Sequence, residues 1–240
     1  MILLRLMAAG VYLQFCLREL KMSDFIDKEL PPVIPIFPLA GALLLPGGQL
    51  PLNIFEPRYI SMTDYVLGNG RYLGMVQSKT VEQQIGTEEC NLYTVGCLGK
   101  MSAFAELETN RYVITLSGLS RFKIISEEQT LNAWRSVKVD YKSFNVDQKH
   151  RKVDNFSREA FLDALQAYFS LHNIKGSWES IEKVDEATLI TSVAMAAPLS
   201  SEEKQAILEC VTLVEQAKML QSLMEMAVYG KDNGGAKLHH

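Results

Sequence analysis

Two S-x-x-K strings stand in the sequence, Ser180…Lys183 and Ser201…Lys204. A serine–lysine pair does nucleophilic chemistry when burial keeps the lysine neutral, so that it can deprotonate the serine. Glu182 and Glu203 sit beside these lysines and favour the charged ammonium. Ser201 also stands where a helix is expected to start, and serine has a capping reason to be there. Neither string is therefore expected to be catalytic. Glu56 and Arg58, in PLNIFEPRY at 51–59, are the other charged pair of interest. An arginine lowers the pKa of a neighbouring carboxylate and makes it a poor general base. Exposed, such a pair is worth roughly 0–1 kcal/mol; buried, loss of one partner costs about 3–5 kcal/mol. The expectation is a structural corner rather than a reactive one.

Phosphate and metal chemistry are no better served. A P-loop needs G-x-x-x-x-G-K-[ST], so that backbone N–H groups cradle phosphates. Gly99-Lys100 comes nearest, but residue 94 is Thr and Met101 replaces the hydroxyl residue. The strings G-x-G-x-x-G, H-E-x-x-H and G-x-S-x-G are absent. Cys16, Cys90, Cys97 and Cys210 form no C-x-x-C pair, and His150, His172, His239 and His240 offer no ligand spacing. The sequence thus predicts no catalytic residue, no cofactor and no metal. Irregular cysteines fit a reduced, cytoplasmic setting.

Bulk properties narrow the partners. The formal net charge is −4 and the pI about 5.7, which argues against a nucleic-acid binder. The apolar N-terminus carries Arg5 and Arg18, and its longest uncharged run, Leu6 to Leu17, is too short to span a bilayer. No membrane partner is expected. Met22-Ser23-Asp24 reads as a natural polar start, so 1–22 is expected to be an extension or a misassigned start.

The elements that position these residues read as strands first and helices later. Val33–Phe37 carries Pro35 and reads as an edge or irregular strand. Pro46-Gly47-Gly48 is a turn signal, and Leu50–Phe55 is extended. Pro57 opens a helix over 57–67, with Tyr59, Met62, Val66 and Leu67 on one face, closed by Gly68-Asn69-Gly70. Strands follow at Tyr72–Gln77, Tyr93–Lys100, Ser102–Leu107 and Tyr112–Leu116. Gly118 is expected to turn the chain into Arg121–Ile125, and Trp134–Tyr141 is the last strand. Ser78–Cys90 reads as a loop, and the polar stretch from Asn145 to Asn155 as a linker.

Beyond it the period is helical. Phe156, Phe161, Leu165 and Phe169 form one stripe. Asp185 caps a helix running to Ala197. Ser200 with Glu203 makes a capping box, and Thr212 with Glu215 repeats it before a last helix through Ala227. The divisions predicted are a strand domain over 23–145, a helical domain over 146–230 and a disordered tail over 231–240.

Specific segments carry a family resemblance. Ile34 to Leu39 (IPIFPL), Leu44 to Gly47 (LLPG) and Leu50 to Tyr59 (LPLNIFEPRY) are followed by Gly74-Met75-Val76, Val95-Gly96-Cys97, Ser117 to Ile124 (SGLSRFKI) and Leu199 to Glu209 (LSSEEKQAILE). Over about 31–229 the chain resembles the N-terminal, substrate-binding domain of Lon-type ATP-dependent proteases. The resemblance implies an α+β fold: a PUA-like β pseudo-barrel with one inserted helix, followed by a C-terminal α-helical bundle. It gives Pro38, Pro46, Gly47, Phe55, Glu56, Pro57, Arg58, Tyr59, Gly118, Arg121 and Phe122 a structural, not a chemical, part. It implies a non-catalytic module that recognises proteins or unfolded polypeptides, in a stand-alone form without the AAA+ and protease domains. RNA binding, which PUA-like folds often perform, and a small-molecule site between the two halves are the alternatives.

Overall fold

Six strands form the sheet of the computed structural model, which describes residues 29–79, 91–107, 110–148, 153 and 156–234, with side chains to Gly230. They are β1 (Val33–Pro38), β2 (Gln49–Ile54), β3 (Tyr72–Ser78), β4 (Leu92–Leu107), β5 (Arg111–Glu128) and β6 (Ser136–Asp140). Their order is β2-β5-β4-β3-β1-β6, and β5 also pairs with β6. That last pairing closes β5, β4, β3, β1 and β6 into a ring, with β2 added along β5. Only β1 and β3 run parallel.

Closure sorts alternate side chains into two cores. Ile34, Ile36, Val76, Leu98, Leu119, Phe122, Val137 and Val139 fill the ring. Phe122 is fully buried and meets Tyr141 edge-on at 6.4 Å. Its ring has room because residue 96, opposite it in register, is glycine: a Cβ there would lie 2.6 Å from the Phe122 ring. The intervening residues, among them Phe37, Leu73, Met75, Cys97, Ile114 and Leu116, point outward into a larger core shared with the helices. Strands covered on both faces read as near-continuous apolar runs, as the buried stretch from Leu73 to Gln77 does.

Two prolines sit where the ladder does not need their nitrogen. β1 pairs with β6 through Val33–Pro35 and with β3 through Ile36–Pro38. Pro35 falls at the changeover, so a proline is tolerated in a strand partnered on both sides, where the sequence suggested an edge or irregular strand. Pro51 lies on β2, which pairs with β5 alone. Gly118 donates to the Gly48 carbonyl at 2.9 Å. Counting from that pair along the antiparallel register, positions 49, 51 and 53 turn their backbone groups away from β5. Pro51 therefore removes the central donor of the outer edge, which blunts it against pairing with another chain.

Gly118 does not turn the chain. It lies within the continuous strand β5, beneath the turn at Pro46-Gly47. There Gly48 donates to the Leu45 carbonyl at 2.9 Å, and Gly47 has φ +77°, as a type II turn requires at its third residue. Gly47 donates to the Gly118 carbonyl at 2.9 Å. A Cβ on Gly118 would lie 2.1 Å from the Leu45 carbonyl oxygen. Closeness of two backbones, not freedom of φ, is the reason for this glycine.

α1 (Pro57–Gly68) buries Tyr59, Met62, Thr63 and Val66, and Tyr59 stacks on Phe37 at 4.3 Å. A 3₁₀ segment, Lys142–Gln148, replaces the first part of the expected linker. The helices then follow: α2 (Arg158–His172), α3 (Trp178–Lys183), α4 (Glu186–Ala196), α5 (Ser201–Glu209) and α6 (Leu213–Gly234). The Asp185 cap and the Ser200–Glu203 box form. Thr212 and Glu215 exchange bonds of 2.9 and 3.2 Å. The short α3 was not expected; the Arg158 guanidinium donates to the carbonyls of Ile181, Glu182 and Val184 at its end. No described helix is long and apolar enough to cross a membrane. The expectations for 1–22, most of the loop 78–90, residues 149–152 of the linker and residues 235–240 lie outside the described residues.

Candidate functional site

Chemistry fails first at the serine–lysine strings. Lys183 donates to Glu179 at 2.6 Å on an exposed helix face, and the Ser180 hydroxyl meets that of Ser177 at 3.0 Å. Lys204 is buried, and burial holds its amine below the ordinary lysine range. It donates to the Gly41 carbonyl at 2.9 Å, not to the Ser201 hydroxyl. Around it, Gln77 bonds Gly41, Ser201 and Gln205, and Gln205 reaches the Val95 carbonyl and Glu209. These bonds fasten α5 to β3, β4 and the loop before β2. His172 packs on Tyr168 at 4.4 Å, Cys97 and Cys210 are free thiols, and the described residues hold no cluster fit for a metal.

Glu56 and Arg58 pair with each other. Arg58 Nε donates to Glu56 Oε2 at 3.0 Å, and the two side chains are 52% and 45% exposed. Arg58 also lies over the Tyr59 ring at 4.6 Å. Glu56 is the N-cap of α1 but makes no side-chain cap bond, and Pro57 opens the first turn. Exposure decides the magnitude: Arg58→Ala should cost less than about 1 kcal/mol, read as a small shift of the denaturant midpoint.

The buried charge lies elsewhere. Arg121 on β5 and Asp147 on the 3₁₀ segment are 3% and 4% exposed. Nε donates to Asp147 Oδ2 at 2.9 Å and Nη2 to Oδ1 at 2.7 Å. The remaining donors reach the carbonyls of Leu208 at 3.1 Å, Val211 at 2.8 Å and Cys210. Phe144 stacks beneath the guanidinium at 4.5 Å. A helix end leaves carbonyls without partners and carries a partial negative charge; one arginine answers both at the end of α5. Asp147 gave no signal in the sequence, because it stands in a polar run that reads as a linker.

What the fold leaves open is the end of the sheet built by β2, β5 and β4. One face of it packs on α1: Leu52, Ile54 and Ile114 are buried, and a hydrogen bond to Asp64 raises the Tyr112 phenol above its ordinary value. Phe104 meets Tyr112 at 5.0 Å on that side. The opposite face has no covering element among the described residues. Registers place Asn53, Val113 and Ala105 in one row, and Pro51, Thr115 and Ala103 in the next. Leu107 opposes Arg111, and Phe55, one step beyond Ile54, continues the alternation beside them. Ala103, Ala105 and Arg111 are exposed, as are Phe55 at 37% and Leu107 at 46%. The outward face of an antiparallel sheet is ordinarily polar; these rows are mostly apolar, and among the described residues Arg111 is their one charge, with Lys100 in the next row beside Ser117.

The family profile described as the ATP-dependent protease La (LON) substrate-binding domain matches residues 33–226. The chain belongs to this family. Lon protease 2 of Myxococcus xanthus is 24% identical over 204 residues, covering 83% of this chain and 24% of that protein. Lon protease of Anaeromyxobacter dehalogenans is 26% identical over 204 residues, with the same two shares. The chain therefore spans about a quarter of the length of these relatives. The solved Lon N-terminal domain protein of Xanthomonas campestris superposes with a TM-score of 0.54 at 19% identity, over 79% of this chain and 97% of that one. The N-terminal domain of the Mycobacterium avium complex Lon protease gives 0.56 at 15%, over 80% and 98%. These likenesses establish the α+β fold, with the strands first and the helices after.

Proposed function

We propose that this chain is a non-catalytic, cytoplasmic module that recognises polypeptides, with a PUA-like barrel over 23–145 presenting the recognition face and the helical part, 146–230, buttressing it. The observation that carries this reading is the apolar face of β2, β5 and β4, which no described element covers and where Phe55, Ala103, Ala105 and Leu107 are exposed, in a member of a substrate-binding family. Contiguous exposed apolar surface marks interaction sites, and an open sheet face accepts an extended or loosely structured apolar segment without demanding one sequence. Neither buried charge cluster is free for chemistry: Arg121 is held by Asp147 and three carbonyls, and Lys204 by Gly41.

The test is binding of a reduced, carboxamidomethylated polypeptide, which stays unfolded, to the wild type and to Ala105→Asp/Leu107→Asp. Both positions are exposed, so the double variant should keep its melting temperature. It should bind at least tenfold more weakly, as expected for loss of central contacts worth more than about 1.4 kcal/mol. Equal binding by both proteins removes this face from the reading, and no binding by the wild type overturns it.

A further inference from the structure

Resting on that reading, we infer that the face selects apolar segments carrying an acidic side chain, with Arg111 as the specificity-determining residue. The chain as a whole carries −4, yet among the described residues the outer face of β2, β5 and β4 holds no carboxylate. Among the described residues its exposed charge is Arg111, in register with Leu107 and followed along β5 by Val113, while Lys100, in the next row with Gln49 and Ser117, lies over the Tyr72 ring. Glu106 and Tyr112 turn to the opposite face by strand alternation. Arg58, just past Phe55 at the same end of β2 as Arg111, is already neutralised by Glu56. Arg111 makes no ion pair with a described residue.

An arginine set among apolar side chains is a poor place for a basic segment and a good one for a carboxylate. Seating a basic residue there would bring like charges together while water is displaced, which is the more costly outcome. A carboxylate would meet the guanidinium fork in two parallel hydrogen bonds. Neighbouring Phe55 and Leu107 would lower the local dielectric and strengthen the pair. The net charge of −4 opposes acidic segments only over distance, and about 0.15 M salt screens it beyond about 8 Å. The occupant that fits is an extended apolar segment with an Asp or Glu at its middle, its carboxylate on Arg111 and its apolar residues on Phe55, Ala105 and Leu107.

The experiment uses three peptides bearing the same uncharged fluorophore, identical in an alternating Leu/Ala sequence except for a central Glu, Gln or Lys. Anisotropy titrations in 0.15 M salt are run on the full chain, on Arg111→Glu and on Leu107→Asp, with sedimentation to follow self-association. The wild type should bind the Glu peptide about fivefold more tightly than the Gln peptide, with the Lys peptide weakest. Arg111→Glu should reverse that order, and Leu107→Asp should weaken all three. Equal affinity for the three peptides, with Leu107→Asp still weakening them, overturns the acidic preference and leaves the polypeptide reading standing. An unchanged order in Arg111→Glu overturns the assignment to this residue. Binding of none of the three overturns both. Self-association of the wild type that Leu107→Asp abolishes makes a second copy the occupant and overturns the inference.

Discussion

Arg121→Ala should lower the unfolding free energy by about 3–5 kcal/mol, a large fraction of the 5–15 kcal/mol typical of a domain. Denaturant titration followed by circular dichroism measures it. The loss has two parts. Asp147 is left buried without its cation, and the carbonyls of Leu208, Cys210 and Val211 lose their donor at the bend between α5 and α6. Arg121→Lys restores the charge but not the fork, since an ammonium cannot reach a carboxylate and three carbonyls at once. It should recover less than half of the loss. A cost below about 1 kcal/mol for Arg121→Ala would mean that the strand and helical parts are not held together through this residue.

Gly118→Ala is expected to be nearly as damaging although it adds a single methyl. The new Cβ would meet the Leu45 carbonyl oxygen at 2.1 Å and the Leu45 carbonyl carbon at 2.8 Å. These are backbone atoms of a turn, so no rotamer relieves the contact. The turn must lift away from β5, breaking its paired bonds, Gly47 to Gly118 and Gly118 to Gly48. Overpacking of this kind costs about 1–3 kcal/mol, and the value should fall at the upper end. A thermal melt of this variant beside Gly68→Ala, where nothing lies within 4 Å of the added carbon, separates the clash from any general effect of replacing glycine. Equal melting temperatures would contradict the packing described for Gly118.

The fold was legible because its signals were local. Pro57 at a helix start, the apolar stripe of α1, the Ser200–Glu203 box and the Asp185 cap depend on residues within one turn of one another. The errors came where a distant partner decides the outcome. Gly118 looks like a turn residue until Leu45 is laid against it. Pro35 looks like an edge marker until β1 is seen to change partners there. Asp147 looks like linker polarity until Arg121 reaches it across the fold. The open face of β2, β5 and β4 was hidden for a related reason. Both alternations of β4 near its end, Ala103-Ala105-Leu107 and Phe104-Glu106, carry apolar residues, so periodicity does not say which side α1 covers. Register with β5 and β2 is a long-range fact, and it alone assembles Phe55, Ala105, Leu107 and Arg111 on one surface.

Amide hydrogen exchange on the full chain, with and without the unfolded carboxamidomethylated polypeptide, tests polypeptide recognition most directly because it needs no substitution. Slowed exchange should be concentrated in 51–55, 103–107 and 111–115, with α6 unaffected. Protection confined to the helices, with those three segments unchanged at saturating polypeptide, would contradict recognition at this face.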